Sequence, residues 1–221
     1  MAYYSREDFA AKSAVVPLRD GLYRTHAKRL FDIIFVLLIA IPVSLVIAIF
    51  SLIIARDGVS PLYWQKRVRQ DGKTFHLLKL RSMVPDADHK LEILLRKNPA
   101  ARREWNIKQK LTNDPRVTKF GKFIRRTSLD ELPQFWNVFC GDMSVVGPRP
   151  MTKEQVHLYP GNAYYCARPG ITGFWQISER NECSFAERAQ HDANYNRALS
   201  LGTDLSIIAR TILVVATGTG V

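Results

Sequence analysis

Two acids stand side by side at Asp130 and Glu131, in the segment Thr127-Ser128-Leu129-Asp130-Glu131-Leu132-Pro133. A carboxylate in such a place can act as a nucleophile or hold a divalent metal beside phosphates. The spacing also has a plainer reading. Ser128-x-x-Glu131 matches a capping box, which would set both acids in the first turn of a helix running to about Phe139, where they complement its dipole. Adjacent acids on a helix point about 100° apart, so they would play different parts rather than chelate from one face. Arginines follow in rigid turns. Gly147-Pro148-Arg149-Pro150 presents Arg149 and Arg168-Pro169-Gly170 presents Arg168, and a guanidinium fork suits a phosphate. Lys79 and Arg81 flank Leu80 at the end of a predicted strand, where alternation sets both on one face. Each of these has an ordinary alternative as a surface cation, and none decides the chemistry alone.

These residues sit in or just after a block that carries the whole charge imbalance. The 221-residue chain has 32 Lys+Arg against 20 Asp+Glu, a formal charge of +12. Between Ser60 and Arg126 there are 18 basic and 6 acidic residues, so the flanks cancel. Such a surplus points to an anionic partner: nucleic acid, phosphorylated small molecules or a membrane surface. With 47% hydrophobic residues the chain is no disordered polycation. Its cysteines (Cys140, Cys166, Cys183) are odd in number and lack metal-ligand spacing, which reads as free thiols.

The elements that must position the acids divide into three parts. Residues 1–27 read as a cytoplasmic N-terminal tail. Residues 28–57 contain an uncharged run, Ile33 to Ala55, long enough as one helix (about 35 Å) to cross a bilayer. Pro42 interrupts it, and basic residues flank it on both sides: Arg24, Lys28 and Arg29 before, Arg56, Lys66, Arg67 and Arg69 after. Basic flanks favour the cytoplasmic face. A helix–break–helix that enters and leaves by one face satisfies both groups, whereas a straight span satisfies one. Residues 58–221 form the soluble part. Two strands, about Leu62 to Val68 and Thr74 to Leu80, turn at Asp71-Gly72. A helix from Asp86 to Lys97 follows, and Asn98-Pro99 restarts another as N-cap and first residue. Pro115 to Arg126 reads as a short basic amphipathic helix, suited either to an anionic lipid surface or to a core edge. The C-terminal run Thr203 to Gly218 is a second such candidate, too short to span. The fold class is therefore α+β, mainly helical: a membrane-embedded segment, a β-hairpin and interfacial amphipathic helices around a small soluble domain.

The blocks also occur in a telling order. They are Lys28-Arg29-Leu30-Phe31-Asp32, Lys79-Leu80-Arg81-Ser82-Met83, Asn113-Asp114-Pro115-Arg116-Val117-Thr118, Arg125 to Gln134, Gly141 to Pro150, and Arg168 to Gln176. From Lys28 to about Val215 the chain resembles the bacterial sugar transferases, the monotopic phosphoglycosyl transferases. The resemblance implies a re-entrant helix broken at Pro42, with the catalytic domain on the cytoplasmic face of the bacterial inner membrane. It implies a Mg²⁺-dependent ping-pong transfer of hexose-1-phosphate from a UDP-sugar to polyprenyl phosphate, the first membrane step of exopolysaccharide or related glycan synthesis. Carried over, Asp130 is the nucleophile and Glu131 helps hold Mg²⁺ or accepts a proton, with both acids as metal ligands. Arg149, Lys79, Arg81 and Arg168 neutralise phosphate. Anionic membrane lipids are the remaining partner and nucleic acid is not one, while a homodimer is left open. Glu179 departs from the family, which commonly has Gly there, and Glu182 adds a second acid nearby. The rival reading is a non-catalytic, membrane-anchored basic module that binds polyanions and is indifferent to loss of Asp130.

Overall fold

A computed structural model of the chain describes residues 21–108, 111–178 and 185–216. The part that the sequence read as an N-terminal tail is helical where it is described. A π turn, Tyr23–Ala27, runs directly into helix α1, Lys28–Ile54. Residues 1–20 of that tail lie outside the described residues, as do Glu179 and Glu182.

Helix α1 is long and apolar enough to cross a membrane, and only 6% of its most apolar window is buried by the rest of the chain. The sequence suggested two helices separated at Pro42. The structure has one, with Pro42 inside it. A proline deletes a single intrahelical hydrogen bond, and the uncharged residues on either side keep the helix going past it. Both ends of α1 nevertheless touch the soluble part. At the start, Lys28 Nζ lies 2.8 Å from Asp204 Oδ2, and Asp32, fully buried, accepts from Ser144 Oγ and the Val145 amide at 2.9 and 3.0 Å. Near the end, Phe50 packs edge-on against Phe120 and Phe123 at 5.6 and 6.4 Å. Between these anchors Leu37, Leu38, Ile41 and Leu45 are bare.

The hairpin matches its sequence signals: β1, Leu62–Val68, pairs antiparallel with β2, Thr74–Leu80. Helices α2, Ala87–Lys97, and α3, Pro99–Lys108, follow, with Asn98 Oδ1 accepting from the Ala101 amide as a cap should. The basic helix is α4, Lys119–Arg126, capped by Thr118. Its apolar side packs within the chain: Ile124 is fully buried in the domain, and Phe120 and Phe123 meet Phe50 of α1. Then come a 3₁₀ turn, Leu129–Glu131, and α5, Gln134–Cys140. Asn137 on α5 docks the hairpin, accepting from the Leu78 amide and donating to the His76 carbonyl at 3.0 and 2.8 Å. Arg29 of α1 donates to the last carbonyls of α5, at Val138 and Phe139, which satisfies that helix end.

A second, parallel pair joins β3, Ser144–Val146, to β4, Gly170–Thr172. Here two chain segments cross almost in contact. A Cβ on Gly147 would lie 2.2 Å from the Arg168 carbonyl, and one on Gly170 would lie 2.1 Å from the Gly147 amide. Only glycine fits either place, and the crossing fixes the turn that carries Arg149. Helices α6, Phe174–Ser178, α7, Phe185–Ala198, and α8, Leu201–Ala216, complete the domain. The main core gathers Val36 from α1, Phe75 and Leu77 from β2, Val138, Met143, Val145 and Val146, and Tyr195 and Ile207 from the last two helices.

Asp204 joins the two ends of the fold, taking hydrogen bonds from Tyr23 and Tyr195 as well as the Lys28 ion pair. Breaking one side of a buried pair leaves the other charge stranded. Lys28→Met should therefore destabilise the domain by about 3–5 kcal/mol, seen as a lower unfolding midpoint in detergent or nanodiscs. An unchanged midpoint would show that the pair does not hold α1 to α8.

Candidate active site

The acids do not sit in a capped α-helix. Ser128 takes a left-handed conformation (φ 55°) and its side chain makes no cap bond, so the expected capping box is absent. Asp130 and Glu131 instead occupy the 3₁₀ turn between α4 and α5, and Pro133 precedes α5 as its N-cap. The tight turn separates the two side chains into different surroundings, as adjacency on a helix also would have done.

Glu131 is held on two sides. Its Oε1 accepts from Lys79 Nζ and from Arg149 Nη2, both at 2.9 Å. These two cations and their hydrogen bonds outweigh burial and hold its carboxyl far below the ordinary glutamate range. Its Oε2 accepts no hydrogen bond among the described residues. Asp130 is buried, and among the described residues no donor reaches its carboxylate. Burial raises its carboxyl above the usual aspartate value, helped by the charge of Glu131 and opposed by Lys79, Arg125 and Arg149. One acid is therefore clamped and ionised, while its neighbour is unbonded and costly to ionise.

Two cations that the sequence reading did not single out complete the cluster. Arg125, at the end of α4, donates from Nε to Ser82 Oγ at 2.8 Å, and its charge interacts with Asp130. Arg67, on β1, donates to the Pro150 carbonyl at 3.0 Å and lies near Arg149 and Glu131. In so basic a block, spacing could not separate these from solvated neighbours; only the hairpin register and the end of α4 turn them inward. Arg67, Lys79, Arg125 and Arg149 thus face Asp130 and Glu131, since Asp114 is committed to Arg116 at 2.6 Å. Four cations against two carboxylates leave a local positive surplus, the electrostatic signature of a phosphate site.

Two other predicted phosphate ligands lie elsewhere. Arg81 binds Asp57 at 2.6 Å and the Ile54 carbonyl at 3.2 Å, clasping the chain where it leaves α1. Arg168 is half-buried on the far side of the Gly147–Gly170 crossing, with Arg29, Asp32 and Arg69 as its charged neighbours. Among the described residues no group of three or more His, Cys, Asp or Glu side chains could cage a metal. Mg²⁺ asks for less: one or two carboxylates, with water and substrate phosphate as its other ligands. Asp130 and the second oxygen of Glu131 fit that requirement.

The sequence pattern of bacterial sugar transferases matches residues 23–218, which takes in every element named above. The chain belongs to the bacterial sugar transferase family. It is 46% identical over 190 residues to the UDP-galactose-lipid carrier transferase of Erwinia amylovora, covering 85% of this chain and 40% of that protein. It is 42% identical over 217 residues to the exopolysaccharide production protein ExoY of Sinorhizobium fredii, covering 96% of each. It is 37% identical over 213 residues to the UDP-glucose:undecaprenyl-phosphate glucose-1-phosphate transferase of Escherichia coli, covering 90% of this chain and 42% of that one. The chain thus spans about two fifths of the two long relatives and nearly all of ExoY.

The clamp on Glu131 gives a pH signature. A carboxylate held below its unfolded value contributes stability above that value and loses it as pH falls. Glu131→Gln should cost about 2–3 kcal/mol at neutral pH, less than a fully buried pair because Arg149 is a third exposed. The difference from wild type should shrink on acidification below the unfolded glutamate value of 4.5. A constant difference between pH 7 and pH 3 in denaturant titrations would contradict the clamp.

Proposed function

We propose that this chain transfers a hexose-1-phosphate from a UDP-sugar to polyprenyl phosphate, giving polyprenyl diphosphate hexose and UMP. The observation that carries this reading is a buried aspartate, reached by no donor among the described residues, inside a surplus of cations that suits phosphate. The names of the relatives supply the substrate classes, and they divide between galactose and glucose, so the reading stops at a hexose.

Asp130 acts as nucleophile. One of its carboxylate oxygens attacks the sugar-linked phosphorus, and the bridging oxygen departs with its electron pair on UMP. Among the described residues no donor engages Asp130, which leaves its lone pairs available. Burial withholds the solvation that would blunt them, and Lys79, Arg125 and Arg149 favour the ionised form. Arg149 and Lys79 are fixed by Glu131 before substrate arrives, so they meet charge developing on the phosphoryl oxygens with little rearrangement. The polyprenyl phosphate then attacks the phosphosugar ester and Asp130 leaves. Mg²⁺, held by Glu131 and Asp130, would supply further neutralisation of phosphate oxygens.

Helix α1 serves as a re-entrant membrane anchor that bends at Pro42 rather than breaking there. Support comes from its two ends, both attached to one soluble domain, and from the basic residues beside both. The domain would then face the cytoplasm at the inner membrane, with Lys119, Lys122 and Arg126 toward anionic lipid.

Asp130→Asn should lower UMP release from a UDP-sugar at least about 10³-fold without lowering the unfolding midpoint. Its raised carboxyl costs stability when ionised, and the amide removes that cost. The wild-type acid limb should lie above the ordinary aspartate value of 3.8. Full turnover by Asp130→Asn would end the nucleophile assignment. For the anchor, a membrane-impermeant maleimide should label Cys140 and a Tyr3→Cys residue from the same side of inverted vesicles. Labelling from opposite sides would establish a straight span.

A further inference from the structure

The hairpin register carries the cation cluster beyond the residues just given roles. Tyr63 pairs with Lys79 and Arg67 with Phe75, so Tyr63, Gln65 and Arg67 share one face of the hairpin with Lys79. Arg67 therefore extends the row of cations, with Lys79 at one end of that face and Arg149 reaching in from the Gly147 turn. The Arg67 side chain is oriented from two sides. Its Nη1 donates to the carbonyl of Pro150, the residue after Arg149, and its Nη2 donates to Gln65 Oε1 at 2.6 Å.

Its bonding is incomplete. Nε is buried and has no partner among the described residues, and no salt bridge joins Arg67 to a carboxylate among them. Burial first, then the adjacent Arg149, pulls its guanidinium down to about 10, so it remains charged at neutral pH. A buried guanidinium beside a second one, without an acid of its own, is costly unless an anion joins it. Lys79 and Arg149 already share Glu131, whereas Arg67 is the member of the row still short of negative charge.

We propose that Arg67 binds the nucleotide-side phosphate of the donor diphosphate, the group that leaves as UMP. This rests on the reaction proposed above and adds a second phosphate position to it. The sugar-linked phosphorus lies by Asp130, Lys79 and Arg149, and the neighbouring phosphate lies by Arg67. When the Asp130 oxygen bonds to the sugar-linked phosphorus, the bond to the bridging oxygen breaks and its electron pair passes to the UMP phosphate. That phosphate gains a negative charge in the step, and a fixed guanidinium there stabilises it more in the transition state than in the intact diphosphate. Arg67 has no part in the second half of the reaction, because UMP has gone.

The two halves can be measured separately on the full chain in nanodiscs. UMP release without lipid acceptor reports the first half, and transfer from a preloaded phosphosugar enzyme to polyprenyl phosphate reports the second. Arg67→Gln should lower kcat/KM for the UDP-sugar about 10–100-fold and raise the inhibition constant of UMP by about tenfold, in line with loss of one charge-assisted contact. Arg67→Lys should recover part of both. The second half-reaction should stay within about twofold of wild type. Equal slowing of both halves would mark Arg67 as structural, slowing of the second alone would assign it to the acceptor phosphate, and an unchanged UMP inhibition constant would remove it from the leaving group. Any of these overturns the proposal while leaving the transfer reaction intact. Failure of wild type to release UMP from any UDP-sugar would instead sink the parent reading.

Discussion

One carboxylate oxygen organises the site. Glu131 Oε1 receives Lys79 from the hairpin and Arg149 from the Gly147 turn, and so ties together three segments drawn from residues 79, 131 and 149. Each partner is delivered by a different device. The register of β1 and β2 turns Lys79 inward, a left-handed Ser128 sets the 3₁₀ turn, and two glycines crossing without room for a Cβ place Arg149. Because Glu131 takes up both cations, neither donates to Asp130 beside them. The difference between the adjacent acids follows from that sharing: one is spent on positioning two cations, and the other keeps its oxygens clear of them.

Local chemistry was legible where local forces decide. Asp71-Gly72 between alternating strands, Asn98-Pro99 at a helix start and the uncharged run before Ala55 all specify their own conformation, and each appears where its residues imply. The Ser128-x-x-Glu131 signal failed because Glu131 is claimed by Lys79 and Arg149, and the energy of those ion pairs exceeds that of a cap bond. Arg81 and Arg168 lie apart from the acids for a related reason. A cation's destination depends on which carbonyls or acids lie across from it, and the exit of α1 claims Arg81. The proline reading erred in degree, since one missing hydrogen bond among many does not end a helix this apolar.

The positive block that dominates the sequence divides by orientation. Arg67, Lys79 and Arg125 turn into the acid site, and Arg116 is neutralised by Asp114 while lying over the Trp105 ring at 5.7 Å. Lys119, Lys122 and Arg126 face outward on the helix whose phenylalanines meet α1. A net charge of +12 is thus two different things in one stretch of chain: a cation cluster around two acids inside, and a cationic surface beside the long apolar helix.

The bond between Lys28 and Asp204 also sets an order of events. The partners are 176 residues apart, one at the root of α1 and the other on the last helix described. At a synthesis rate of 5–20 residues per second, roughly 10–35 s separate their appearance. During that interval Lys28 lacks its ion-pair partner, and the two tyrosines that also bind Asp204 have no common acceptor. Helix α1 is therefore complete while its root is unfastened, and the rest of the fold closes on it afterward. Fastening comes last, so the root of α1 waits for the whole of the intervening chain before it is held.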